Sequence, residues 1–216
     1  MAHYDLEEQE QIDSIKTWWK MYGNLVTGVI LAGSLAVIGW QGWNWYQRSQ
    51  AAQASAIYGV LEQAVAVRDA QRVKAAAGEL AEKFGGTSYA ALGALVAARQ
   101  SFDAGDLKTA KAQLTRAAEN GKDEIRDLSR LRLASVLLDE KAYDEALKQL
   151  EAAHAAAFAA RFLELKGDVL AASGRKPEAR TAYKGALDKG GIREGRGGGA
   201  GRELLQQKLD NLGEAA

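Results

Sequence analysis

The chain has 216 residues, and its 28 Lys and Arg balance 28 Asp and Glu, so the formal net charge is zero. That balance argues against a nucleic-acid binder, which needs a clustered basic surplus. The absence of Cys excludes a disulfide framework, a Cys-ligated metal centre and a thiol nucleophile; two His far apart, His3 and His154, argue against a His-based metal site or triad.

A single Pro, abundant Ala and few β-branched runs predict an all-α protein. All five Trp lie in the first fifth of the chain, at Trp18, Trp19, Trp40, Trp43 and Trp45. A water-soluble core would scatter them.

Residues 1–20 form an acidic N-terminal tail, with Asp5, Glu7, Glu8, Glu10 and Asp13. From Met21 to Gln47 no residue is charged. A bilayer-spanning helix needs ~20 mostly apolar residues, and 21–46 supplies them. Its apolar body includes Leu25, Val26, Val29, Ile30, Leu31, Leu35, Val37, Ile38 and Trp40. The Trp residues bracket both ends, where indoles favour the headgroup level. Small-x-small sites follow in 51–56, but the long acidic approach and the length of the apolar run favour an uncleaved anchor over a signal peptide. Lys16 and Lys20 precede the span, while Arg48 stands alone after it until Arg68, a bias that predicts a cytoplasmic N-terminus. Gly28, Ala32 and Ala36 recur every fourth residue, which would let another membrane helix pack closely on that face.

Residues 47–189 read as a repeat array. Ala76, Ala110, Ala146 and Ala179 recur at separations of 34, 36 and 33 residues. The segments around them, VKAAAGEL, GDLKTAKAQLTRAA, KAYDEALKQLEAA and GRKPEARTAYKGAL, share an apolar helical face. That period matches a helix–turn–helix repeat of ~34 residues. The units resemble the tetratricopeptide repeat, in which a Gly ends the first helix and a small Ala marks the helix crossing. Gly105 and Gly174 fit this pattern; Lys141 stands where the third Gly is expected. One hairpin cannot bury its own apolar face, but a stack can. Four hairpins would stack into a short right-handed superhelix, its concave side lined by the first helix of each pair. Alignment of the repeats places Tyr58, Leu61, Leu92, Leu95, Phe102, Leu128, Leu131 and Leu138 along that groove, with Arg161, Glu164 and Asp168 at a polar end. Such a groove suits a segment of another polypeptide.

Residues 190–201, GGIREGRGGGAG, lack the phosphate-loop spacing and a preceding strand, and read as a flexible linker. Residues 202–216 carry apolar positions at Leu204, Leu205, Leu209 and Leu212 and predict a capping helix. Carboxylate neighbours such as Asp123 and Glu124 point apart on a helix. His154 falls in an Ala-rich stretch that reads as helix. No catalytic order, metal spacing or cofactor fingerprint is present, which points to a non-enzyme without a cofactor.

The order of parts, with LEEQEQIDSIKTWWKMYGN, a span ending GWQGWNWYQ, an Ala-rich repeat domain and LLQQKLDNLG, resembles the bacterial YfgM family of ancillary SecYEG translocon subunits. The resemblance implies a single-pass inner-membrane protein with a periplasmic repeat domain. It implies SecYEG and a PpiD-type periplasmic chaperone as partners, and newly translocated or unfolded polypeptides as clients. The residues themselves support only a lipid-anchored helical interaction module; a cytoplasmic-facing membrane scaffold or signalling adaptor, and a secreted enzyme with a cleaved signal, are the other function classes they allow.

Overall fold

The computed structural model describes residues 6–190 and 198–213. Among the described residues there are α-helices and one 3₁₀ turn, and no strand. The helices are α1 (Leu6–Ala66), α2 (Ala70–Lys83), α3 (Ser88–Asp103), α4 (Leu107–Asn120), α5 (Asp123–Asp139), α6 (Tyr143–Glu151), α7 (Ala159–Ala172), α8 (Lys176–Gly190) and α9 (Gly198–Asn211). The chain divides into two compact units between Gln50 and Ala51, inside α1.

The first unit is helical from Leu6 onward, so the part of the acidic tail that is described continues the same helix as the apolar segment. Its helix carries large apolar side chains on every side and buries almost none of them.

The second unit is a stack of helix pairs. The last turns of α1 pair with α2, and α3/α4, α5/α6 and α7/α8 follow. Each pair is joined by the same turn. A residue with positive φ sits at its centre: Arg68 (56°), Gly105 (79°), Lys141 (59°) and Gly174 (82°). The next amide closes back on the helix, as Asp69 N–H to Ala64 O, Asp106 to Ser101, Ala142 to Leu137 and Arg175 to Leu170. This is the hydrogen-bond signature of a helix ended by a left-handed residue. The third turn keeps the geometry although it has Lys in place of Gly, so backbone conformation, not residue type, is what repeats. Asp69 and Asp106 then cap the second helices, each accepting from the backbone N–H three residues on at 3.0 Å.

Counting from the turn residues shows which buried positions correspond from pair to pair. Seven residues before the turn stand Leu61, Ala98, Ala134 and Gly167; nine after stand Ala77, Leu114, Leu150 and Tyr183. All are buried. Large is set against small in every pair, and the side that carries the bulk switches after the first, so a nearly constant volume is filled in three ways.

The core falls into two clusters. One joins the end of α1 to α2 and α3 around Leu61, Leu80 and Phe84. The other runs from α3 to α9 and includes Leu137, Phe162, Val169 and Tyr183. α9 contributes Leu205 and Leu209 to this second cluster, and Leu212 packs against it. It starts earlier than expected. Of the predicted linker 190–201, Gly190 ends α8 and residues 198–201 open α9, while residues 191–197 lie outside the described residues.

His154 requires a correction. It does not lie in a helix but in the irregular connection between α6 and the 3₁₀ turn Ala156–Phe158. The connection is held from α5. Asp127 Oδ2 accepts from Ala155 N–H at 2.8 Å, and Arg130 Nη1 donates to Ala153 O at 3.0 Å. The His154 ring stacks on Phe162 with centroids 4.0 Å apart. These tertiary bonds override the helical preference of the alanines. His3 lies outside the described residues.

Candidate functional site

Two surfaces can act on a partner, one in each unit. In the first unit, one helix among the described residues is long and apolar enough to cross a membrane, within Gln11–Ala66, with a mean hydropathy of 1.7 in its most apolar window. Leu25, Val29, Ile30, Leu31, Leu35, Val37, Ile38 and Trp40 are all exposed, several by more than 60%, and Val26 is partly covered. In water such a surface would cost on the order of 25 cal/mol per Å² of apolar area. The hydroxyls inside the stretch turn inward on their own helix. Thr27 Oγ1 donates to Gly23 O and Ser34 Oγ donates to Ile30 O, each at 2.8 Å, so neither needs water. Aromatic groups gather at both ends: Trp18 lies 5.8 Å from Tyr22, and Trp43 lies 6.2 Å from Tyr46. Gly28, Ala32 and Ala36 are exposed, and at Gly28 a β-carbon would meet nothing within 4 Å.

In the second unit the expected groove residues divide. Phe102 is 43% exposed, and Tyr58, Leu92, Leu128 and Leu138 are partly exposed. Leu61, Leu95 and Leu131 are not groove residues: they are 0%, 4% and 9% exposed. Leu61 occupies the buried crossing of the first pair. Leu95 and Leu131 belong to the core cluster in which α3 and α5 take part, where neighbouring first helices are stacked. Periodicity puts lining and stacking residues on adjoining stripes of one helix, and only packing separates them. Val65, 39% exposed, was missed by sequence reasoning. It stands three residues before its turn residue, as Phe102 and Leu138 do before theirs, and that register is the signal that identifies it. Tyr58 and Tyr89 form an aromatic pair at 5.7 Å. Burial, with the Glu62 charge, raises the Tyr58 phenol above its ordinary value.

The expected polar end is closed from within. Lys208 of α9 donates to Asp168 Oδ1 and Oδ2 at 2.8 and 2.9 Å and to Glu164 at 3.1 Å. Tyr183 O–H donates to Asp168 at 2.7 Å. Burial alone would lower the Lys208 ammonium; the hydrogen bonds and charges of Asp168 and Glu164 outweigh it and raise it. Burial, the bond to Asp168 and the neighbouring carboxylates raise the Tyr183 phenol strongly. Glu164 and Asp168 therefore hold the cap, and of the three polar-end residues only Arg161 is exposed. A recess of about 300 Å³ lies at the third and fourth turns, lined by Lys141, Tyr143, Asp144, Ser173 and Arg175 among others; none of the groove residues lines it.

The model of a tetratricopeptide repeat-like domain matches residues 16–214. Among curated proteins the chain is similar to the ancillary SecYEG translocon subunit of Neisseria gonorrhoeae, 35% identical over 96% of this chain and 98% of that protein. The protein of the same name from Haemophilus influenzae is 30% identical over 97% and 99%, and that of Escherichia coli is 33% identical over 95% and 96%. An exposed apolar helix, a stack of capped hairpins and full-length similarity agree: the chain belongs to the family of ancillary SecYEG translocon subunits, with a tetratricopeptide repeat-like domain.

Proposed function

We propose that the chain is a single-pass inner-membrane protein that holds a polypeptide-binding repeat domain beside the Sec translocon. Residues 21–46 span the bilayer, 1–20 lie in the cytoplasm, and the repeat domain with its cap lies in the periplasm. The observation that carries this reading is the charge-free stretch Met21–Gln47, whose large apolar side chains are exposed, with Val26 alone partly covered. Gly28, Ala32 and Ala36 form the face by which the span meets a membrane helix of the translocon. The Lys16 and Lys20 bias sets the orientation.

The anchor raises the local concentration of the repeat domain at the exit site, as any linked module does. Its face of Tyr58, Val65, Leu92, Phe102, Leu128 and Leu138 takes newly translocated or unfolded polypeptides, or the PpiD-type chaperone that receives them. The names of the relatives support the translocon as partner. Two measurements test the reading. Protease added to intact and to osmotically opened cells should cut the C-terminal domain only after opening; cutting in neither, with access from the cytoplasmic side, would make the protein a cytoplasmic scaffold. Photocrosslinking from position 128 should capture translocating chains or the chaperone, and Phe102→Glu with Val65→Glu should abolish capture with helicity retained.

A further inference from the structure

Among the described residues the repeat stack is closed at one end only. At its C-terminal end α9 covers the last pair with Leu205 and Leu209. At its N-terminal end α1 has an outer face that none of the described residues covers, and Val60 and Val67 are 53% and 70% exposed there. A terminal repeat of a stacked array ordinarily presents a polar outer face. This one presents a heptad pattern. Gln53, Ala56, Val60, Gln63 and Val67 follow at spacings of three, four, three and four, and Val67, just past α1, still donates its N–H to Gln63 O. The helix's other heptad stripe, Ala54, Ile57, Leu61 and Ala64, is the one that packs into the domain.

We infer that this outer face pairs with the same face of a second copy of the chain, as a short parallel two-stranded coiled coil over residues 53–67. Three features select a second copy. Val60 and Val67 fall at equivalent places one heptad apart, the kind of place that β-branched residues occupy in parallel two-stranded pairs. Gln63 carries a carboxamide, which both donates and accepts, so in a parallel pair it meets its own copy as a complementary partner. Within residues 53–67 the one charged side chain is Glu62, on the side of the helix away from Val60, so a contact of like with like sets no charge against its copy. The pairing rests on the membrane anchoring proposed above, which holds all copies in one orientation and raises their encounter rate, so that two heptads suffice.

The chain has no Cys, so a single introduced Cys reports without background. Full-length Val60→Cys in native membranes should form, under mild oxidant, a disulfide species of twice the chain mass, on the order of ten-fold more than Glu62→Cys, which lies on the opposite side of the helix. Val60→Cys with Val67→Glu should lose that species while far-ultraviolet circular dichroism stays helical. Equal crosslinking at 60 and 62, none at either, or capture only of a chain of different mass would overturn the pairing. Recovery of the protein in the soluble fraction before oxidation would instead sink the anchoring on which it rests.

Discussion

Gly167 of α7 lies against the ring of Tyr183 of α8, and a β-carbon at 167 would collide with Tyr183 Cε1 and Cδ1. The same place in the two preceding pairs holds Ala98 with Leu114 and Ala134 with Leu150. The last pair thus exchanges a methyl group for ring volume. Gly167→Ala should destabilise the domain by about 1–3 kcal/mol through overpacking. Gly167→Ala with Tyr183→Leu should recover part of that loss, because it rebuilds the Ala/Leu pair. Urea denaturation of the two variants checks the coupling.

Lys141 holds φ 59° at a turn where its counterparts Gly105 and Gly174 have no β-carbon. The left-handed conformation costs an L-residue about 1–2 kcal/mol. Lys141→Gly should raise stability by about 1 kcal/mol once the greater freedom of Gly in the unfolded chain is offset. Gly105→Ala should lower it by a similar amount. Thermal melts of both variants, moving in opposite directions, are the expected result.

Asp127 is fully buried, with one carboxylate oxygen on Ala155 N–H and Arg126 Nε 3.5 Å from the other. Asp127→Ala removes an acceptor and leaves that amide unpaired, a loss of about 1–3 kcal/mol. Hydrogen exchange should quicken first at residues 152–158, the connection that Asp127 holds. Acceleration spread evenly over α3 and α4 as well would show that the bond does not act locally.

Alkaline pH should release the C-terminal cap. Lys208 and Tyr183 both have raised pKa values in the folded chain, above the ordinary 10.5 and 10.0. A raised group gives stability that is fully present below its unfolded value and is lost as pH rises through its folded value. Stability should therefore hold through neutral pH and fall above about pH 10. Lys208→Met should lower stability at pH 7 by about 1–3 kcal/mol, because two carboxylates lose their cation, and should make the alkaline decline shallower. Melting temperature measured against pH for both proteins decides this.

The long exposed apolar helix was legible because its signal is coarse: a charge-free run with Trp at its ends reads the same whatever it packs against. The hairpins were legible because small residues recur where helices cross, as at Ala110, Ala146 and Ala179. The third turn was legible even with Lys141 in place of Gly, since spacing carried it. What could not be read was the use of each apolar position. Leu95 and Leu131 look like lining residues and are stacking core, while Val65 looked unremarkable and is exposed. His154 sits among alanines that read as helix, and the bonds from Asp127 and Arg130 that straighten this stretch come from residues more than twenty positions away. Glu164 and Asp168 looked free because their cation, Lys208, arrives from some forty residues downstream.

The last helix donates Leu205 and Leu209 to a core that all the preceding pairs from α3 onward share. A nascent chain that stops short of these leucines leaves the flank of α8 wet and Asp168 without its ammonium. Completion of synthesis is thereby written into the fold as a physical condition: a prematurely ended product is the weaker species, opened more readily and removed sooner by proteases, with no separate inspector needed to tell the two apart.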